Sequence, residues 1–312
     1  MARGWRDHFV PQLLIRRFTN EQGRVFCFDK KTRRVPDRIH GNKPRDVLHK
    51  PKYYLDQLGD LDAEFYKPIE DEFGPHLSAL LEDVHQALSR PGLTSVLNAW
   101  VASQASRTQF AERLLEVYGL RFGREDMLDD LRNRRGLLRD LRMDLFECAL
   151  HRLDRSQWRF YRADKDERRE FVLSDEAVVE TPPAWATGRM FIVPLSPTAM
   201  VAAGDDRGHA ALRDPERNIL PLGLNGVAMS YAYRFVYSRR LLELDTLASI
   251  FEITGGSDHD AWVRHAAHAH FGMDLMLDEA DESDLRQHFS EAAVEQFLRR
   301  RQQARESMPP SG

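Results

Sequence analysis

Apolar positions in the first half of the chain recur with the period of an α-helix. Residues three and four positions apart share one face of a helix, so the pattern predicts helices over Leu61–Leu88, Thr94–Tyr118 and Asp126–Leu153. Proline cannot continue a helix, and we therefore expect the first of these to break near Gly74-Pro75. A shorter helix is predicted after Pro11, because proline suits the first helical turn.

The polar face of the third predicted helix is rich in arginine and aspartate. Arg139 and Arg142 are interspersed there with Asp140 and Asp144. Opposite charges three or four residues apart form ion pairs on a helix surface. We therefore predict that this face is solvated.

The pattern changes from helical to alternating after residue 156. Runs rich in β-branched and aromatic residues predict strands here and near the N-terminus: Arg24–Asp29, Gln157–Arg162, Glu170–Ser174, Met190–Leu195 and Ala199–Ala202. The loop after Arg162 predicts that the strands on either side of it pair as a hairpin. Helix is expected to resume over about Asn225–Tyr237.

Helices and strands in this order predict an α+β fold, with a mostly helical body packed on a small, largely antiparallel sheet. We expect an α+β domain with a basic N-terminal arm over residues 1–240. A C-terminal helical extension is expected over residues 241–301, followed by a flexible tail over residues 302–312.

The composition excludes several classes of protein. The chain has 312 residues, of which 42% are hydrophobic and 30% charged, and it is long enough for a substantial core. No apolar run approaches the roughly 20 residues of a membrane helix, and the first residues lack a signal core. Two cysteines, Cys27 and Cys148, cannot build a disulfide scaffold or a four-cysteine zinc site. We expect a cytoplasmic protein with no membrane partner, and the oligomeric state stays open.

Positive charge is concentrated near the N-terminus. Residues 1–52 hold 14 Lys or Arg against 5 Asp or Glu, whereas the whole chain carries a formal charge of -4. A basic segment on an acidic body suits an anionic partner such as nucleic acid. The same segment could instead pair with acidic helices of its own body. Both interpretations are open at this point, and the pI of about 6.3 favours the second.

Several separated blocks of sequence resemble a known family. They are His8-Phe9-Val10-Pro11-Gln12, Phe26-Cys27-Phe28-Asp29-Lys30, Gln104-Ala105-Ser106-Arg107-Thr108, Phe171-Val172-Leu173-Ser174-Asp175, Phe191-Ile192-Val193-Pro194-Leu195, and Asn225 with Arg234. Over about residues 8–240 the chain resembles the bacterial domain-of-unknown-function family numbered 4238. The chain has Glu176-Ala177 where that family often has Asn-Pro. The resemblance implies a family and carries no settled activity.

Arg107 occupies an unusual position for a charged residue. Steps of seven residues along the second predicted helix give Leu93, Trp100, Arg107 and Leu114, which places the guanidinium on the apolar stripe. A buried guanidinium is costly unless it is paired or hydrogen-bonded. Arg107 could hold a phosphate or carboxylate of a ligand. It could equally form a structural ion pair with an internal acid such as Asp175.

Asp175 and His8 complete a candidate catalytic set with Arg107. Asp175 follows a hydrophobic strand, where it could bind a metal or act as a general base, or could serve as a turn residue. His8 could move a proton or ligate a metal, although a lone histidine is more often a cap or a packing residue. Together the three would suit phosphodiester chemistry if they converge.

Four further polar residues are candidates for substrate binding. They are Gln12, Gln104, Asn225 and Arg234. The cofactor is unknown, and no metal ligands are assigned, although a divalent metal would fit the proposed chemistry.

Two patterns are similar to those of nucleases, and both are short and common. Asp29-Lys30-Lys31 follows a strand as an acid-x-lysine, with Asp7 upstream. Arg264–His270 has the arginine and histidine spacing of helical HEPN-type ribonucleases.

The sequence therefore supports two hypotheses. In the first, an intracellular protein binds nucleic acid or cleaves phosphodiesters, as a defence or toxin effector would. In the second, a non-enzymatic protein-interaction module uses the same polar residues to lock its own fold.

Overall fold

The fold was analysed in a computed structural model, which describes residues 6–8, 10–47, 49–51, 62–83, 90–107, 135–163, 169–180, 190–213, 221–253 and 295. The α+β prediction is confirmed. The helices are α1 (Gln12–Ile15), α2 (Lys67–Glu82), α3 (Leu93–Arg107), α4 (Arg135–Leu153), α5 (Asp206–Arg213), α6 (Leu222–Tyr231) and α7 (Leu241–Ile253). The strands are β1 (Arg6–His8), β2 (Phe26–Asp29), β3 (His49–Pro51), β4 (Gln157–Arg162), β5 (Leu173–Ser174), β6 (Val179–Glu180), β7 (Phe191–Ser196), β8 (Ala199–Gly204) and β9 (Phe235–Ser238).

Helices α2, α3 and α4 form the helical layer. Phe73 of α2 stacks on Trp100 of α3, with ring centroids 4.0 Å apart. The expected break near Pro75 is wrong, because α2 runs through this proline. Proline removes one backbone hydrogen bond and costs about 3 kcal/mol in a helix interior. Burial of Phe73, Leu77 and Leu80 on one face offsets that cost.

Three further predictions fall partly or wholly outside the described residues. The described part of the third predicted helix begins at Arg135, and that of the second ends at Arg107. The pattern Arg264–His270 lies outside the described residues. Among those residues, no helix is long and apolar enough to cross a membrane.

The described strands form three sheets rather than one. The larger ones have the orders β4-β8-β7-β6 and β2-β9-β5, while β1 pairs with β3. Every strand pair among the described residues is antiparallel. The hairpin expected after Arg162 is wrong, because β4 pairs with β8 and β5 pairs with β9. The run from Phe171 to Ser174 is buried throughout, which suits a strand that is covered on both faces.

Strand β9 is the centre of the three-stranded sheet. Phe26 pairs with Ser238 and Asp29 with Phe235 in the β2–β9 register. The helix predicted over Asn225–Tyr237 is therefore wrong in its second half, because α6 ends at Tyr231 and β9 follows. The β-forming residues from Phe235 onward favour a strand. Helix α7 packs against β2, β9 and α6.

Candidate functional site

Asp175 lies directly after β5, and its side chain is bonded to the segment that leads into β9. The Asp175 Oδ1 atom accepts the Tyr233 backbone N–H at 2.9 Å. Its Oδ2 atom accepts those of Arg234 and Phe235, both at 2.8 Å. The Asp175 backbone N–H donates to the Phe235 carbonyl at 3.0 Å. One buried carboxylate thus holds three consecutive residues at the start of the central strand.

Arg234 forms an ion pair with Asp29 at the end of β2. Its Nε and terminal nitrogen donate to the two carboxylate oxygens of Asp29 at 3.2 and 2.8 Å. Burial opposes ionisation of Asp29, but the hydrogen bonds and charge of Arg234, together with the backbone N–H groups of Lys31 and Thr32, outweigh burial and lower the pKa of that carboxyl. Asp29 also accepts the backbone N–H of Lys31 at 2.9 Å. The pair joins two neighbouring strands that lie about 200 residues apart in sequence.

Lys30 lies beside the same turn. Its Nζ donates to the carbonyls of Ala232 at 2.6 Å and Ser230 at 3.3 Å. These carbonyls lie at the C-terminal end of α6, where carbonyl groups lack partners within the helix. Burial lowers the pKa of Lys30 to about 8, although the carboxylates of Asp175 and Glu176 oppose this change. Burial also raises the pKa of Asp175 to about 6, against its three N–H donors and the charge of Lys30.

Asn225 is buried in α6 and bonds the backbone that leads into β5. Its amide oxygen accepts the Val172 N–H at 3.0 Å, and its amide nitrogen donates to the Glu170 carbonyl at 2.7 Å. The side chain acts as a substitute for a neighbouring strand. The Glu170 carboxylate in turn accepts two hydrogen bonds from Arg239, at 2.6 and 2.9 Å.

Arg107 and Gln104 lie in the helical layer. Arg107 is 4% exposed and forms an ion pair with Glu70 of α2, while its guanidinium lies 5.4 Å from the Tyr66 ring centroid. The expected burial of Arg107 is confirmed. Gln104 is fully buried, and its amide nitrogen donates to Ser103 Oγ at 3.1 Å.

Arg142 departs from the prediction of a solvated face on α4. Its side chain is fully buried and donates to the Ser106 carbonyl at 2.7 Å. Charge patterning along one helix does not show which neighbouring carbonyl will accept the guanidinium, so the sequence did not identify this contact.

The two remaining candidates belong to the N-terminal segment. The backbone of His8 pairs with that of His49, and its side chain lies outside the described part of the structure. Gln12 opens α1, and its Oε1 accepts a hydrogen bond from Arg16 at 3.1 Å.

The predicted residues thus fall into separate environments. Asp175 and Arg234 share the turn before β9, together with Asp29 and Lys30, and Asn225 bonds the segment before Asp175. Arg107 makes its described contacts with Glu70 and Tyr66 instead. Their proposed catalytic and substrate-binding roles stay predictions.

Metal binding has no additional support from the described residues. Among them, no group of three or more His, Cys, Asp or Glu side chains is arranged to hold a metal ion. The possible divalent metal stays a prediction.

Comparison with known proteins identifies the family. A family model described as "Protein of unknown function (DUF4238)" matches residues 6–241. This match covers well over half of the 312 residues, so the chain belongs to the DUF4238 family. No curated protein and no solved structure matches the chain.

The Arg107–Glu70 pair is tested by a double-mutant cycle. We expect Arg107→Met to lower the free energy of unfolding by about 3–5 kcal/mol, because it leaves a partly buried carboxylate without its partner. Glu70→Gln is the second single variant. Chemical denaturation measures the free energy of unfolding of the two single variants and of the double variant. The double variant should lose less than the sum of the two single losses. Strictly additive losses would contradict a coupled pair.

Asp175→Asn tests the carboxylate at the β9 turn. The variant replaces one acceptor oxygen with an NH2 group that would face backbone donors. We expect a loss of about 2–4 kcal/mol in the free energy of unfolding, measured in urea. Asp71→Asn is the control, since Asp71 forms an exposed i,i+4 pair with Lys67 and should change stability by less than about 0.5 kcal/mol. Similar losses in both variants would contradict the assignment.

Lys30 predicts a pH dependence of stability. Its pKa in the folded state is below that in the unfolded state, so above pH 8 the folded state loses this proton first. Stability contributed by this group should therefore rise with pH between about 8 and 10.5. Relative to Lys30→Met, the wild type should gain about 2 kcal/mol between pH 8 and 10 in denaturation experiments. A constant difference between the two proteins across this range would refute the assignment.

Proposed function

We propose that this member of the DUF4238 family binds nucleic acid through the cationic surface of its N-terminal segment and does not cleave it. In this proposal Arg107, Asp175, Asn225 and Arg234 stabilise the fold. The observation that carries the proposal is an excess of exposed positive charge on residues 16–45, beside a buried carboxylate and amide, Asp175 and Asn225, that bond the protein's own backbone.

The cationic surface consists of lysine and arginine side chains whose charges are not paired with acidic side chains of the protein. Among the described residues, eight cations of this segment form no ion pair: Arg16, Arg17, Arg24, Lys30, Lys31, Arg33, Arg34 and Lys43. All eight are exposed except Arg24 and Lys30, which are half-buried. Ion pairing with the acidic body is represented by Arg38, which donates to both oxygens of Asp245 at 2.7 Å. Self-pairing therefore accounts for only part of the positive segment.

The absence of cleavage is proposed because the candidate catalytic groups are already engaged. Asp175 is 7% exposed and its carboxylate accepts three backbone N–H groups, whereas a general base must lie within hydrogen-bond reach of its substrate. Arg107 is buried against Glu70, whereas an arginine that binds phosphate must present its N–H groups to the ligand.

Nucleic acid fits this surface better than a neutral ligand does. Exposed lysine and arginine side chains bind phosphates with release of condensed counterions, and this term is largely independent of sequence. We therefore expect binding to DNA and RNA without strong sequence preference, and a steep dependence on salt.

The experiment measures binding of the full chain to labelled DNA and RNA by fluorescence anisotropy over a series of salt concentrations. For a duplex we expect a log–log slope of the association constant against salt between about −3 and −5, since each phosphate contact contributes about −0.9. Lack of binding at low salt, or binding that does not change with salt, would overturn the proposal.

Cleavage is measured in the same samples with and without Mg²⁺ or Mn²⁺. The nucleic acid should stay intact with the wild type. Cleavage by the wild type would contradict the non-catalytic part of the proposal, and its loss in a folded Asp175→Asn but not in Asp71→Asn would assign the activity to the Asp175 carboxylate.

A further inference from the structure

An open cleft of about 410 Å³ lies within the N-terminal segment. Three short stretches line it: the region around α1, the turn before β2 and the segment before β3. The lining residues are Gln12, Arg16, Gln22, Gly23, Arg24, Lys43, Pro44 and Arg45. Four of these eight side chains are cationic, and none is acidic.

Backbone and side-chain hydrogen bonds hold the walls of the cleft in place. The Asn20 side chain accepts the backbone N–H groups of Gln22 at 3.0 Å and Arg24 at 2.9 Å. Val25 and Asn42 join the two walls by exchanging two backbone hydrogen bonds of 2.9 and 2.8 Å. Gly41 has φ +64°, and a Cβ atom there would lie 3.1 Å from the Val25 carbonyl oxygen. The close approach of the two walls therefore requires glycine.

Three of the four charges in the cleft, those of Arg16, Arg24 and Lys43, are not neutralised within the described part of the structure. Gln12 Oε1 accepts a hydrogen bond from Arg16 at 3.1 Å, which orients the guanidinium without neutralising it. Arg45 has a carboxylate nearby, with 3.8 Å between its Nε and Asp46 Oδ1. Among the described residues, Arg16, Arg24 and Lys43 take part in no ion pair. Like charges that share a cleft repel one another, and a bound anion would relieve this repulsion.

We propose that this cleft is a phosphate-binding site, occupied by the sugar–phosphate backbone of nucleic acid. This inference rests on the proposed function and assigns it to particular side chains. Arginine and lysine bind phosphate oxygens through charge-assisted hydrogen bonds. None of the described residues that line the cleft is aromatic, so the proposed contacts are to phosphate rather than to stacked bases. Contacts to phosphate alone position a nucleic acid without reading its sequence.

A free polyphosphate or nucleotide presents the same chemistry. The volume of the cleft falls in the range of about 300–1,000 Å³ that is typical of small-molecule sites. The experiment therefore includes an oligonucleotide and, separately, inorganic tripolyphosphate as probes.

The test variant is Arg16→Ala/Lys43→Ala, which removes two exposed cations from the cleft. The matched control is Arg155→Ala/Arg207→Ala, which removes two exposed cations from the body. Anisotropy should show an oligonucleotide affinity about tenfold or more weaker for the test variant, and a salt slope shallower by about 2. The control should stay within about twofold of the wild type. Circular dichroism checks that every variant is folded.

Gln12→Glu supplies a second variant. The new carboxylate would accept the same hydrogen bond from Arg16 and place a negative charge in the cleft. We expect it to weaken binding of both probes by at least about tenfold. Equal affinities and slopes for the wild type, the test variant and Gln12→Glu would overturn the inference.

The two probes separate failure of this inference from failure of the proposed function. Oligonucleotide binding that the cleft variants do not change would refute the cleft and leave the proposed function standing. Calorimetric binding of tripolyphosphate that depends on Arg16 and Lys43, without oligonucleotide binding, would refute the backbone as occupant and the proposed function, but retain the phosphate site. Binding of neither probe would refute both.

Discussion

The fold depends on a buried carboxylate that holds the start of a central strand. Asp175 accepts three consecutive backbone N–H groups at residues 233–235, and so joins β5 to the turn between α6 and β9. In the same turn, Arg234 forms an ion pair with Asp29. Lys30 donates a hydrogen bond to the Ala232 carbonyl at the end of α6. An unpaired buried N–H group costs about 1–3 kcal/mol. Asp175 accepts hydrogen bonds from three N–H groups. Together with the contacts of Arg234 and Lys30, these bonds join β2, β5, β9 and α6 at one place.

The molecule thereby separates two populations of charge. Buried or half-buried charges, such as Asp29 with Arg234 and Glu170 with Arg239, are engaged by partners within the fold. The cations around the N-terminal cleft lie on stretches whose backbone is held by hydrogen bonds, and the side chains of Arg16 and Lys43 are exposed to solvent. The charged groups of the first population bond one another inside the fold, so we do not assign them a role in catalysis. The second population is available to an external anion, and this division underlies the proposed function.

The sequence predicted elements best where local pattern and tertiary packing agree. Strands β7 and β8 lie where their runs of β-formers indicate, and the burial of Arg107 follows from its spacing on α3. Its partner is Glu70 rather than Asp175, and it could not be predicted because Glu70 lies on another helix, whose position the spacing along α3 does not show. The β4–β5 hairpin was wrong for a related reason: strand pairing here is set by contacts far apart in sequence. No local pattern in the sequence predicts the ion pair between Asp29 and Arg234, because the two residues are far apart in the chain.

The position of β2 at an edge of its sheet has a consequence for synthesis of the chain. Its pairing partner, β9, emerges from the ribosome about 200 residues later, so closing this sheet requires a long loop with a correspondingly large entropy cost. The backbone donors for Asp175 lie in the first residue of β9 and the two residues before it. Translation must therefore pass residue 238 before the β2–β9 pairing and the hydrogen bonds to Asp175 are complete. A nascent chain arrested before that point would expose the hydrogen-bonding edge of β2 and would present chaperones with an unfinished sheet.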